Sequence, residues 1–242
     1  MIGTILNAAG ILAGGAAGLA RLSFLTSARE LQVRVILAAF TVYYALLLVW
    51  RSVNGSALQV FKQGVIVLLA LSLGKLIGGL LRLQKGSNRL GGLARDRIAA
   101  AGSGAPGAAF EGFKACSILF CAAPLGILGA VHDGLAGYAY PLGVMAVMDG
   151  LAAMGFARMF GWGAMLAAVP VFILQGTISL LCSHYLKPYL DSYGPVLADS
   201  INATGGMLVF CVALVMLELK KIHLADYLPS LVVAPLLSWV WR

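Results

Sequence analysis

Long apolar runs separated by short basic loops dominate the chain. Taking about 20 apolar residues as the length that crosses the hydrocarbon core, spans fall at 2–20, 33–50, 64–82, 113–131, 140–159, 162–183, 203–219 and 227–241. The last is short and holds Pro229 and Pro235, so it reads as tilted, broken or only partly inserted, and seven spans is the alternative count. Alternation with period two is absent, which argues against an outer-membrane barrel. The pattern predicts an all-α fold, a polytopic transmembrane helical bundle of about eight spans forming one membrane domain over 1–242. Its parts are three spans over 1–82, a connection over 83–111 and the remaining spans over 112–242.

Composition agrees with this pattern. Of the 242 residues 61% are hydrophobic and 11% charged, with mean hydropathy +0.94, whereas charged residues make up about 25% of an ordinary soluble domain. Thirty glycines suit helices that pack closely in lipid. A net charge of +8 could suggest nucleic acid, but the cations lie in short loops, where they set topology instead. If 83–111 faces the cytoplasm, alternation puts twelve Lys and Arg residues inside and leaves four outside: Arg51, Lys62, Lys187 and Arg242. That bias predicts both termini on the outer side if all eight spans cross. Cys116, Cys121, Cys182 and Cys211 lie in or beside apolar segments, show no CxxC pair, and read as reduced packing residues. The first residues lack the cationic region of a signal peptide and read as the start of the first span.

Polar groups at membrane depth are expensive and are usually paired, water-facing or functional. Asp149 stands near the middle of the fifth span, with Gln175 and Lys75 within about a turn of the middle of the sixth and third. The three read either as a buried pair of Lys75 and Asp149 fixing the bundle or as an ion or substrate site. Asn7 and Asn202 form a second, outer layer, and the shared Asn-Ala-x-Gly around them is a faint trace of internal duplication. Asn also serves simply as interhelical glue in lipid.

Some spans look interrupted. Pro124 sits among small residues with Gly126 and Gly129 following, and Pro170 precedes Gln175 by five positions. Proline removes a backbone donor, so each is either a kink or a break of the kind that forms binding sites in secondary transporters. Gly10, Gly14 and Gly18 make a ridge on the first span, and Gly74 and Gly78 make another on the third. Both are helix-contact faces, within the bundle or between subunits.

Catalytic patterns are lacking. "MDGLAAMGFARMFGWG" partly matches the start of the CDP-alcohol phosphotransferase motif, but Met154 replaces its arginine and the later aspartates are missing. His132, His184 and His223 are scattered at loop ends, with His132 beside Asp133 reading as an interfacial pair. No HExxH, Walker loop or nucleophile elbow is present. An enzyme is therefore not expected, nor is a metal or other cofactor.

The stretch "FEGFKACSILFCAAPLGILGAVHDGLAGYAYPLGVMAVMDGLAAMGFARMFGWG", residues 110–163, is similar to the central signature of the YqgA/YdfK-like bacterial inner-membrane proteins. "NAAGILAGGAAG", "GKLIGGLLRL", Gln175-Gly176, "ATGGMLVF" and "LADYLPSL" extend the resemblance over nearly the whole chain, in order. It implies a membrane protein of undefined biochemistry. It also implies a lysine four positions before Asp149, a glutamate at position 79 and an asparagine at position 226, where this chain has Met145, Gly79 and Asp226. Losing that lysine leaves Asp149 needing another cation, for which Lys75 is the expected source.

The expectation is a homo-oligomeric protein in the lipid bilayer that moves a small solute or ion through a mid-depth site of Asp149, Lys75 and Gln175, with Asn7 and Asn202 as outer contacts. The alternatives are an oligomeric channel lined by the glycine faces, or a structural or assembly module without transport. No nucleic acid is expected.

Overall fold

The structure, a computed structural model, describes residues 1–21, 27–53, 55–100 and 107–241. Residues 101–106 of the basic connection, and Arg242 among the expected outer cations, lie outside them. The chain is all-α, with no strand among the described residues. In order, the helices are α1 (Ile2–Leu19), α2 (Ser27–Ser52), α3 (Ala57–Leu80), α4 (Leu83–Ala100), α5 (Ala108–Cys121), α6 (Pro124–Ala136), α7 (Tyr140–Phe160), α8 (Gly163–Leu166) and α9 (Ala168–Leu181). A π-helical turn (Cys182–Leu186) leads into α10 (Lys187–Ser192), α11 (Pro195–Met216), α12 (Leu224–Tyr227) and α13 (Ser230–Val240).

Among the described residues six helical stretches are long and apolar enough to cross a bilayer, and α5 with α6, bent by 61° at their junction, makes a seventh if the pair is one span. The expected count of about eight is not confirmed. Leu224–Val240 is a shorter apolar segment, divided where Pro229 caps α13 and carrying Pro235 inside that helix. Most of the connection at 83–111 is α4. Its intermediate or buried positions Leu83, Ser87, Ala94 and Ile98 recur with helical spacing. Packing on that face outweighs the helix cost of Gly86, Gly91 and Gly92.

The helices form two compact units, each drawing on chain from both sides of this connection. The first comprises Met1–Thr26 and Lys85–Leu180. Within it α1 runs parallel to α7, for a Cβ on Gly10, Gly14 or Gly18 would strike the backbone oxygen of Ala146, Gly150 or Met154 in turn. Only glycine allows that approach along one helix face. The α8–α9 stretch runs antiparallel to α1, with Gly15 facing Met165 of α8 and Gly176 of α9 facing Thr4. The bent α5–α6 pair descends along α7 from Gly112 against Phe160 to Gly129 against Leu142. Between these helices Ile11, Phe120, Ala153, Ala167 and Val171 form an apolar core.

The second unit comprises Ser27–Gln84 and Leu181–Arg242. Here α2 packs antiparallel to α11, with Gly206 against Ala45 and Val49 and an exposed Arg34–Glu218 pair at 2.9 Å. Likewise α3 packs antiparallel to α12 and α13, with Gly74 against Ser230 and Gly78 against Asp226. Asp226 Oδ1 accepts from the Gln84 N–H at 2.8 Å, and Gln84 Oε1 accepts from the Ala225 N–H at 3.1 Å.

Candidate functional site

The polar layer expected around Asp149 is built in the first unit from α1, α7, α9 and the α5–α6 junction. Asp149 occupies the middle of α7 and is 9% exposed. Asn7, fully buried on α1, donates from Nδ2 to Gln175 Oε1 on α9 at 3.2 Å. Its amide also stands beside the Asp149 carboxylate. Gln175 Nε2 in turn lies 3.8 Å from Met145 Sδ, one turn before Asp149 on α7. Asn7, Gln175 and Asp149 are thus brought together from three helices.

The helix junction lies at the same level. Chain order along α7 puts Phe120 beside Phe156, with ring centroids 6.4 Å apart, and Gly126 against Met145 and the Gln175 amide. Cys121, between them, is close enough for the Asp149 charge to act on its thiol. The α5 helix ends at Cys121 and α6 opens with Pro124 in its first turn, where a missing N–H costs nothing to α6. That same absence leaves the Phe120 carbonyl without a helical donor. The Ala122 carbonyl is satisfied from outside, accepting from Ser87 Oγ of α4 at 3.2 Å. Pro124 therefore marks a break with polar backbone beside a carboxylate. Pro170 falls within the first turn of α9, just after α8 gives way to it, a position where proline is tolerated.

Several polar atoms of this layer remain unsatisfied. Among the described residues Asp149 Oδ2, Asn7 Oδ1 and Thr4 Oγ1 are buried without a hydrogen-bond partner, and no ion pair involves Asp149.

Lys75 and Asn202 belong to the second unit. The exposed Lys75 places its ammonium 5.7 Å from the centroid of the Tyr227 ring, a cation–π arrangement. Asn202 lies on α11, its Oδ1 buried without a partner among the described residues. The two groups expected to form an ion pair, Lys75 and Asp149, thus fall in different units, each with neighbours of its own.

Comparison with known proteins places these features. The sequence matches the family described as "Protein of unknown function (DUF554)" over residues 2–239. The chain belongs to this family. It is 28% identical over 242 residues to the uncharacterized protein YqgA of Escherichia coli (strain K12), covering 100% of this chain and 97% of YqgA. It is 29% identical over 181 residues to the uncharacterized membrane protein YdfK of Bacillus subtilis (strain 168), covering 74% of this chain and 72% of YdfK. No solved structure matches it.

In this DUF554 chain the positions marked as departures have distinct settings. Met145 is buried in the polar layer, Gly79 has open space around it, and Asp226 anchors the start of α4. One group of polar residues escaped the sequence reading. Asp133 is buried at 3% exposure, its Oδ1 accepting from the Gly3 N–H at 3.3 Å and its Oδ2 from Ser179 Oγ at 3.4 Å. The Met1 amino group lies 3.0 Å from Oδ2 as well. His132 beside it is also fully buried. The usable signal was spacing: Thr4 with Asn7, and Gln175 with Ser179, stand three and four residues apart and so share a helix face. Together they carry a polar track from Asp149 toward Asp133.

Proposed function

We propose that this membrane protein moves a small solute or ion through the first unit, with Asp149, Asn7 and Gln175 as the binding layer and the α5–α6 break as its backbone element. The support is one juxtaposition: a buried carboxylate, half of it unsatisfied, level with a helix break. Irregular backbone at membrane depth persists only where protein or water satisfies it, and such breaks are where secondary transporters bind their solutes. An intramembrane carboxylate costs at least about 2.5 kcal/mol on insertion scales. With a ready-made cation it would be a packing device; without one, a transient occupant gives it a use. No covalent chemistry is assigned to the layer.

The glycine faces favour this reading over a pore lined by them. Both ridges are engaged by helices of their own units. The location proposed is the bacterial inner membrane, with 83–111 in the cytoplasm, as the cation bias asks. The membrane environment itself is supported by the apolar helices and by the description of YdfK as a membrane protein.

Replacing Asp149 with Asn preserves shape and hydrogen-bonding capacity while removing the charge. Thermal unfolding of the detergent-solubilised variant should match the parent, whereas uptake into cells or proteoliposomes that depends on the protein should be lost. A variant that unfolds early or fails to assemble would instead identify Asp149 as a structural group.

A further inference from the structure

Asp149 and Asp133 sit on the same polar track but are served very differently. Asp133 has an N–H, a hydroxyl and an amino group around it. Asp149 has the Asn7 amide on one side and, among the described residues, nothing on Oδ2. Resting on the transport reading above, we propose that the solute bound at Asp149 is an alkali-metal cation, held by Asp149 Oδ2, Asn7 Oδ1 and backbone carbonyl at the α5–α6 break.

Charge comes first. Among the described residues the ionisable groups near this level are Asp149 of α7 and the Cys121 thiol of α5, with His132 and Asp133 of α6 and the Met1 amine farther along the track, while Lys85 and Arg89, either side of Ser87 on α4, are exposed. Glu111, Lys114 and Arg158 lie about two turns or more away toward the other end of the same helices. With Asp149 ionised, the layer carries a single uncompensated negative charge. One positive charge neutralises it, whereas a divalent ion leaves an excess and an anion doubles the deficit, both costly in a medium that cannot screen them.

Donor chemistry separates the remaining occupants. The unsatisfied atoms Asp149 Oδ2, Asn7 Oδ1 and Thr4 Oγ1 are all oxygens, and α5 ends here with its carbonyls, the negative end of the helix dipole, directed at the break. Among the described residues no three His, Cys, Asp or Glu side chains come together as a softer ion would need. A proton on Asp149 would make Oδ2 a donor to at most one other oxygen and leave the rest of the track bare. A hard cation satisfies several at once, as ring carbonyls do in ion filters. Thr4 stands one turn along the track from Asn7, with Ser179 and Asp133 beyond it, giving a desolvated ion successive oxygen contacts.

The test uses the purified full-length protein in sodium, potassium or lithium chloride against choline chloride at equal ionic strength. A ligand that binds only the folded state raises the unfolding temperature. The expected result is a saturable rise with at least one alkali ion, matched by flux of that ion in proteoliposomes. Asp149→Asn should abolish the rise while unfolding in choline as the parent does. Met145→Lys supplies a second variant: an ammonium four residues before Asp149 lies on the same face, so it should stabilise the protein in choline and remove the response to alkali ions. Asn7→Ser should weaken the apparent ion affinity by roughly tenfold, a difference of about 1.4 kcal/mol. If no alkali ion shifts unfolding while Asp149→Asn folds normally and loses flux of protons or another solute, the alkali-ion proposal is overturned and the transport reading stands. If Asp149→Asn leaves every flux unchanged, or unfolds while Met145→Lys restores nothing, both fall.

Discussion

Glycine at three positions of α1 decides how close α7 can come. Gly14 is the tightest, since a Cβ there would enter the Gly150 carbonyl. Gly14→Val is therefore expected to destabilise the first unit by about 1–3 kcal/mol, as overpacking does, read as a lower unfolding temperature. Gly155 on α7, with no heavy atom within 4 Å of its would-be Cβ, is the control, and Gly155→Ala should be neutral or stabilising by up to about 1 kcal/mol. The ridge was legible in the sequence because small residues four apart have one structural use in lipid. Its partner was not, since Ala146, Gly150 and Met154 offer only backbone and carry no mark of their own. Asp149 was legible for the opposite reason, as a charge where charges are costly. Asp133 was hidden by its position near a helix end, where a carboxylate is ordinarily solvated.

Pro124 shows how an element can be cut at one residue and joined again by its neighbours. The missing N–H ends α5, the ring starts α6, and the 61° bend between them carries Gly126 against Gln175 and Met145. Pro124→Ala restores the donor and favours a straight helix. Flux through the protein should fall while unfolding temperature is retained, and unchanged flux would show that the break is incidental. Ser87→Ala removes the donor to the Ala122 carbonyl and should cost about 1 kcal/mol, again read in unfolding. The sequence showed the proline but not whether it kinks or cuts, because that depends on what satisfies the freed carbonyls. The α4 helix was illegible for a related reason. Its glycines and basic residues read as a connection, and only packing of Ser87, Ala94 and Ile98 makes it a helix.

Two interleaved units, each holding helices from early and late in the chain, set the scale of the whole molecule. Span positions were readable from hydropathy, although the third and seventh begin at Ala57 and Val196 and the sixth runs on to Ser192, but the grouping was not, since lipid-facing runs look alike whichever partner they choose. Orientation rests on the cation bias. With the native cysteines replaced, Arg89→Cys on the exposed face of α4 should react with a membrane-impermeant thiol reagent only from the cytoplasmic side. Reaction from the outside would invert the topology. The central claim is that water and solute reach the α5–α6 break beside Asp149, and Cys121 reports on it directly. In two single-cysteine proteins, partly buried Cys121 and fully buried Cys116 differ by about one and a half turns of α5. A small hydrophilic thiol reagent should modify folded Cys121 far faster than Cys116. Equal protection of both, with full reaction after unfolding, would contradict the account and leave the layer as dry packing.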